Sequence, residues 1–204
     1  MKEFKILSNE YLSVDIRAFY REAYLGYKRL GNPDYLNVLK NTYNKEAKDI
    51  LLSAENDLRK ALLEDLPKVL ESLKLQNVTA CVVPRAKARY YVNQWLFKST
   101  VQFVVGQLMG FSDGTNYIRR RTNTKTTHLK NNTPNYINDG SEPYPGITTQ
   151  TCDISDNVMG KNILLIDDIY TATVNIDEDA IQALINSGAK SVAFYAVGKT
   201  EGRN

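Results

Sequence analysis

The chain has 204 residues, of which 43% are hydrophobic and 24% are charged, a composition typical of a globular protein and not of a disordered one. Its 26 basic residues are nearly balanced by 23 acidic ones, and the net charge of +3 does not favour a nucleic-acid partner or a membrane surface. The two cysteines are spaced for neither a zinc site nor a disulfide framework, and neither a secretory signal nor a membrane-length apolar run is recognised, so we expect a cytoplasmic protein.

Residues 1–75 are predicted to form a helical appendage to the rest of the chain. In the segment 11–30, apolar side chains recur every three or four positions, which indicates an amphipathic helix that ends at the Gly-Asn-Pro sequence of 31–33. The same period continues over 35–62, where one long helix or two joined helices are expected, and Pro67 is expected to disturb the last part. The appendage could support a homo-oligomer.

A short strand and a cationic loop follow this region. The β-branched run at 77–83 is the first convincing strand, and a proline bounds it. Arg85 and Lys87 then begin an alternation of basic and small residues, which we call the cationic loop, residues 85–89. A loop after a strand lies at the carboxyl edge of the sheet, so these cations are placed to bind a polyphosphate, although solvated basic residues would give the same pattern. A helix is predicted over 91–109, with Trp95 in the core.

The segment from 111 to 146 has no regular period. It contains a short strand that runs into three arginines at 119–121, and a long stretch rich in Asn, Pro, Gly and Tyr follows. Such a stretch in a compact domain is usually a functional lid or is disordered. The arginines are interpreted as facing phosphate, because the aromatic residues of single-strand binders are not interleaved with them, and His128 is interpreted as a solvated side chain. An edge strand is predicted over 146–154.

The most informative stretch is N-I-L-L-I-D-D-I-Y-T-A-T-V-N at 162–175. Its apolar residues 163–166 are typical of a strand buried on both faces, and two carboxylates, Asp167 and Asp168, follow at once. Acids at the end of such a strand lie where open α/β sheets bind their ligands. After a short turn, the pattern predicts a helix from about Ile176 and a last buried strand over 191–197.

This stretch combines two kinds of ligand site. The backbone N–H groups of the turn and of the first helical residues form an anion site, to which threonine hydroxyls add donors. The residues of this predicted phosphate loop are Thr171, Ala172, Thr173, Val174 and Asn175. Asp167 and Asp168 cannot bind the same phosphate, and their natural partners are the vicinal hydroxyls of a ribose or a divalent cation. A ribose between a 5′-phosphate and a second charged group would satisfy both parts, with Arg85 and Lys87 at the far end.

With these features the chain resembles the type I phosphoribosyltransferases, and among them the ComF-like proteins, over about residues 77–198. The central part of the resemblance is I-L-L-I-D-D-I-Y-T-A-T-V-N. The order of the upstream features is also similar, with V-V-P-R at 82–85, V-N-Q at 92–94 and Y-I-R-R-R-T at 117–122.

The resemblance implies an α/β fold with a mostly parallel open sheet in residues 76–204, in which 111–146 would form a variable hood over the acceptor. It implies that Asp167 and Asp168 hold the ribose hydroxyls of phosphoribosyl pyrophosphate, that 171–175 cradles its 5′-phosphate, and that the cationic loop meets pyrophosphate and Mg²⁺. An active member would transfer the phosphoribosyl group to a nitrogen acceptor such as a nucleobase, without a protein nucleophile.

Two positions of the phosphate loop depart from the family pattern. Related loops place Gly where this chain has Thr173, and Thr or Ser where it has Asn175, a residue that is also suited to cap the following helix. A non-catalytic module that binds a phosphoribosyl compound or a nucleotide is therefore the alternative. A phosphohydrolase of the haloacid dehalogenase type is disfavoured, because Ile169 and Tyr170 occupy the positions where a second acid is needed.

Overall fold

A six-stranded sheet forms the centre of the molecule. The structure is a computed structural model that describes residues 1–26, 29–40, 46–90, 92–127 and 137–201. The strands are β1 (Lys2–Ile6), β2 (Ile16–Tyr24), β3 (Val78–Val82), β4 (Phe111–Asp113), β5 (Ile118–Arg120), β6 (Cys152–Ile154), β7 (Asn162–Tyr170) and β8 (Ser191–Thr200). The α-helices are α1 (Asp34–Lys40), α2 (Lys48–Leu73), α3 (Leu96–Val105) and α4 (Ile176–Asn186). None of these helices combines the length and the apolar character needed to span a membrane.

The strands of the central sheet lie in the order β1-β2-β8-β7-β3-β4. Every neighbouring pair is parallel except β1 and β2, which are antiparallel. The remaining strands, β5 and β6, form a separate antiparallel pair. The prediction of an α/β fold with a mostly parallel sheet is therefore confirmed. The predicted edge strand over 146–154 is reduced to β6, and it pairs outside the central sheet.

The helix predicted over 11–30 is wrong, because the described part of this segment contributes β2 to the central sheet. Ala18 pairs with Phe194 of β8, and the side chains of Ala18 and Phe19 are buried on opposite faces of the sheet. A strand that is covered on both faces is apolar at successive positions, so its hydrophobic spacing does not distinguish it from a helix. Residues 1–75 are thus helical only in their second part.

The second part of residues 1–75 forms two helices, α1 and α2. One long helix or two joined helices were expected here. Residues 41–45 lie outside the described residues. Pro67 lies inside α2 and does not end it. Its neighbours Leu66 and Val69 are both fully buried, and packing of this kind outweighs the loss of one backbone hydrogen bond.

Each face of the central sheet is covered by its own apolar core. Along β7, Leu164 and Ile166 pack with α1, α2 and α3 on one face, while Ile163 and Leu165 pack with α4, β5 and β6 on the other. The prediction that residues 163–166 are buried on both faces is confirmed. Since β7 lies between β3 and β8, it is the strand through which the two cores are held in register.

The connections of the sheet reverse direction between β3 and β7. From β3 the chain passes through α3 to β4 on one side, and from β7 it passes through α4 to β8 on the other side. The carboxyl ends of two neighbouring strands whose connections diverge leave a crevice between them, which is where open α/β sheets bind ligands. The crevice begins where the pairing of β3 with β7 ends, at Val82 and Ile166.

A buried charge ties α2 to the sheet. Asp65 of α2 is fully buried, and its carboxylate accepts hydrogen bonds from Arg21 Nη1 at 3.0 Å and from the Tyr195 hydroxyl at 2.8 Å. A buried carboxylate is tolerated only when such donors replace the water that it loses. The exposed Glu64 binds the same guanidinium from outside, at 2.8 Å.

We expect Asp65→Ala to lower the free energy of unfolding by about 3 kcal/mol, because it leaves the Tyr195 hydroxyl buried without a partner and weakens the pairing of Arg21. The matched control is Glu64→Ala, which removes the exposed partner of the same arginine and should cost less than about 1 kcal/mol. Urea denaturation measures both values. Equal losses for the two variants would contradict the importance of the buried charge.

Candidate functional site

A cleft of about 760 Å³ opens at the divergence of β3 and β7. It brings together side chains from the cationic loop, from β7, from the start of α4 and from the segments on either side of 128–136. The charged residues that line it are Lys40, Arg85, Lys87, Arg89, Asp139, Asp167, Asp168 and Asp177. The basic side chains suit phosphate groups, and the carboxylates suit hydroxyl groups. The cleft therefore suits a ligand that carries both kinds of group in different parts.

The two acids lie within β7 and not after its end, because β7 continues to Tyr170 beside β8. Beyond Ile166 it has no pairing with β3, so Asp167 and Asp168 stand on the open side of the crevice. The carboxylate of Asp168 accepts a hydrogen bond from Lys40 Nζ at 2.9 Å. Both acids are partly buried, and the predicted position of the pair at a ligand-binding edge agrees with the cleft.

Lys40 is the last residue of α1 and the counter-charge of Asp168. Burial alone would lower the pKa of Lys40, but the charges of Asp168 and Asp167 and the hydrogen bond to Asp168 raise that pKa above its ordinary value on balance. Lys40 therefore carries a positive charge in the cleft over the whole physiological range.

The cationic loop is attached to the segments that follow β5. Arg120 Nε donates to the carbonyl oxygen of Arg85 at 3.0 Å, and the backbone N–H of Thr124 donates to the carbonyl oxygen of Ala86 at 2.8 Å. The ammonium of Lys87 donates to the Asp139 carboxylate at 2.8 Å. The predicted phosphate-binding cations Arg85 and Lys87 both line the cleft, but the Arg85 guanidinium also donates to the carbonyl oxygen of Lys40 at 3.0 Å, so both side chains use some of their donors within the protein.

The predicted phosphate loop is only partly turned toward the cleft. Thr171 and Val174 line it, whereas Ala172 and Thr173 are exposed and do not. The hydroxyl of Thr171 is hydrogen-bonded to that of Thr200 at 2.7 Å. Lys74 is the only described non-glycine residue with a positive φ, so Thr173 does not adopt the left-handed backbone that favours glycine.

Asn175 does not cap α4 with its side chain. Its Oδ1 instead accepts a hydrogen bond from Asn9 Nδ2 at 3.0 Å, which joins the loop to the segment after β1. The carbonyl oxygen of Asn175 accepts from the backbone N–H of Asp179 at 3.1 Å, as the first turn of α4 requires. Asn175 thus occupies the N-cap position of α4, as predicted, but its side chain makes no capping hydrogen bond.

The first turn of α4 carries three buried acids, Asp177, Glu178 and Asp179. Glu178 accepts a hydrogen bond from the Tyr170 hydroxyl at 2.9 Å. Asp179 Oδ2 accepts from the backbone N–H groups of Gly146 and Ile147, at 2.6 Å and 2.7 Å. Carboxyl groups are favoured at a helix N-terminus, so Glu178 and Asp179 already occupy the end of α4 that a phosphate would use.

Asp177 lies against Asp167 at the floor of the cleft. Burial, and then the charge of Asp167 and the hydrogen bond with it, raise the pKa of Asp177 far above its ordinary value. Burial and the charge of Asp168 likewise raise the pKa of Asp167. The buried Oδ1 of Asp177 has no hydrogen-bond partner among the described residues. A proton shared between the two carboxyl groups accounts for this arrangement.

A second cavity of about 170 Å³ adjoins the cleft and shares the carboxylates of Asp167 and Asp168 with it. Its cationic lining residues are Arg85, Lys98, Arg119 and Arg120. Trp95 also lines this cavity and is 45% exposed, with its ring centroid 4.6 Å from that of Tyr90. The prediction that Trp95 lies in the core is wrong.

Residues 111–146, which were expected to form a hood, contribute both to the central sheet and to the lining of the cleft. They begin with β4, which pairs with β3 in the central sheet, and the residues around 123–127 and 137–139 line the cleft. His128 lies outside the described residues.

The sequence interpretation did not select Lys40 or Asp177. Lys40 carries no local signal, whereas three successive acids at the start of a predicted helix could have drawn attention to Asp177.

No protein-family model matches the sequence, and no curated protein matches it.

We expect Asp177→Asn to stabilise the protein at pH 8 and to change its stability less at pH 5. A carboxyl group whose pKa is raised by folding contributes stability at low pH that is lost as the pH rises through the folded pKa, and Asn keeps a neutral hydrogen-bonding group there. One unit of pKa corresponds to about 1.4 kcal/mol, or a difference in melting temperature of about 3–6 °C in a protein of this size.

Thermal melting between pH 5 and pH 8 measures this difference. The control is Asp156→Asn, a change at an exposed acid that does not line the cleft. A variant that is destabilised equally at both pH values would contradict the shared proton.

Proposed function

We propose that the protein binds phosphoribosyl pyrophosphate together with Mg²⁺ in this cleft, and that it transfers the phosphoribosyl group to a nitrogen acceptor such as a nucleobase. One observation carries the proposal. The paired acids of β7 and the cationic loop after β3, which are 80 positions apart in the chain, line a single cleft at the divergence of the parallel sheet. The resemblance of 162–175 to the phosphoribosyltransferase motif supports the same ligand.

The ligand has three parts, and the cleft offers a suitable group to each. The ribose hydroxyls would donate hydrogen bonds to Asp167 and Asp168. The 5′-phosphate would lie toward 171–175, where backbone N–H groups precede α4. The pyrophosphate would lie toward Arg85 and the second cavity, whose small volume and four cations suit a compact polyanion.

Mg²⁺ fits the residues present only as an ion that arrives with the ligand. Among the described residues no group of three or more potential metal ligands is assembled. Mg²⁺ commonly keeps several waters and binds through substrate phosphates with one or two carboxylates, so a protein cage is not required. Asp167 and Asp168 are the described carboxylates that line both the cleft and the second cavity, so they are the residues that would hold the ion, which would supply neutralisation of the leaving group.

The residues of the chain would act by charge and position. As pyrophosphate departs with the electron pair of its bond to the anomeric carbon, positive charge develops on the ribose, and the acceptor nitrogen forms the new bond. The carboxylates of Asp167 and Asp168 stabilise that positive charge, while Arg85 stabilises the negative charge on pyrophosphate. None of these steps needs a protein nucleophile.

A second candidate is a module that binds a phosphoribosyl compound or a nucleotide without turnover. The conformation of the phosphate loop favours it, because Thr171 and Asn175 already use their side chains in contacts with Thr200 and Asn9. The acids of the first turn of α4 also reduce the positive potential available to a phosphate. Both candidates require the same ribose site, and they differ in pyrophosphate release.

We expect phosphoribosyl pyrophosphate with Mg²⁺ to raise the melting temperature by about 5–10 °C at a hundredfold excess over its dissociation constant. Asp167→Asn together with Asp168→Asn should abolish the shift. An amide lacks the negative charge with which these side chains would bind the ribose hydroxyls and Mg²⁺. Asp156→Asn, outside the cleft, should keep it. An unchanged melting temperature of the wild-type protein at millimolar ligand would count against both candidate functions.

Turnover distinguishes the two candidates. With nucleobases and ammonia as acceptors, a phosphoribosyltransferase releases pyrophosphate, which a coupled phosphatase assay detects. We expect release with at least one acceptor and a loss of more than about tenfold in the Asp167→Asn variant. Calorimetric binding without release for any acceptor would instead support the binding module.

A further inference from the structure

Lys40 is a cation of the cleft that the sequence pattern did not reveal. Its ammonium donates to the Asp168 carboxylate at 2.9 Å, and its carbonyl oxygen accepts a hydrogen bond from Arg85 Nη2 at 3.0 Å. One residue of the N-terminal half thus contacts both an acid of β7 and the first cation of the cationic loop. In the proposed function these two groups face the ribose and the pyrophosphate of the ligand.

The position of Lys40 is fixed by the packing of α1. Leu36 and Leu39, on the buried face of this short helix, are 0% and 2% exposed. Leu36 approaches β8 at Gly198 so closely that a Cβ atom there would lie 3.2 Å from its Cδ1. The absence of a side chain at Gly198 therefore lets α1 lie near the carboxyl ends of β7 and β8, and it places Lys40 beside Asp168.

The ion pair differs from those on the surface of the molecule. The side chains of Lys40 and Asp168 are 28% and 16% exposed, whereas those of Lys68 and Glu64 on α2 are 52% and 54% exposed. A partly buried pair is screened less by water and salt, so it holds its two groups in one arrangement more strongly. An ammonium also has three donors, and Lys40 is one of the residues that line the cleft.

We propose that Lys40 is a positioning residue that joins the two halves of the ligand site. Its ammonium holds the Asp168 side chain in position for the ribose hydroxyls, and its carbonyl oxygen holds the Arg85 guanidinium toward the pyrophosphate. The inference rests on the proposed function for the identity of the ligand, and it assigns to the N-terminal half a direct part in the site. Without Lys40, the acids Asp167, Asp168 and Asp177 would face the ligand with less positive charge to balance them.

The test is a double-mutant cycle on the full chain, with phosphoribosyl pyrophosphate and Mg²⁺ as the probe and calorimetry as the readout. We expect Lys40→Met to weaken binding about tenfold, the usual consequence of losing a hydrogen bond to a charged group. Lys40→Arg, which keeps the charge and the donors, should bind within about threefold of wild type. If Lys40 acts through Asp168, adding Lys40→Met to Asp168→Asn should weaken binding no further than about threefold.

Lys68→Met is the matched control, because it removes a lysine from an ion pair with Glu64 that does not line the cleft. It should bind as wild type does. Melting temperatures without ligand show whether each variant folds, and Lys40→Gln replaces Lys40→Met if the methionine variant does not.

The possible results separate the two claims. A wild-type protein that binds the probe while Lys40→Met and Lys40→Gln bind equally well would overturn the role of Lys40 and leave the proposed function standing. Full multiplication of the losses from Lys40→Met and Asp168→Asn would also overturn it, because Lys40 would then act independently of Asp168. A wild-type protein that does not bind the probe would overturn the proposed function and this inference with it.

Discussion

The unequal length of two neighbouring strands is the constraint on which the rest of the site depends. β7 pairs with β3 only as far as Ile166, yet it continues beside β8 to Tyr170. The backbone that carries Asp167 and Asp168 is therefore rigid on one side and open on the other. The cationic loop and α1 converge on this opening, where they place the side chains of Arg85 and Lys40. If the pairing of β3 and β7 continued, these charges would have to be buried in the sheet at a high free-energy cost.

Each carboxyl group around the opening is compensated in its own way. Asp168 has the ammonium of Lys40, Glu178 has a tyrosine hydroxyl, and Asp179 has two backbone N–H groups. Asp177 lies beside Asp167, and burial together with that neighbouring charge raises the pKa of Asp177 far above its ordinary value. The result is a site whose net charge is smaller than its number of acids suggests, which makes it compatible with a phosphate-bearing ligand.

Sequence reasoning predicted the central features of the site because they depend on local pattern. A short apolar run followed by acids is sufficient to predict a strand buried on both faces with acids at the edge of the sheet, and the position of the cationic loop is predicted in the same way. The N-terminal strand β2 was missed because successive apolar residues fit a helix face as well as a strand buried on both faces. Lys40 was missed for a different reason. Its partner Asp168 is 128 positions away, and only the packing of α1 over Gly198 brings them together.

The pairing of β2 with β8 joins distant parts of the chain, since Ala18 lies opposite Phe194. During synthesis the hairpin of β1 and β2 is therefore made long before β8, with which β2 must pair. The strand β7 also precedes β8, its other partner in the sheet. Non-local pairing of this kind slows folding, because the ordering of the intervening chain precedes the contacts that reward it. β8 is consequently the strand whose arrival completes the sheet, and a nascent chain that lacks it exposes unpaired strand edges on both of the segments that β8 joins.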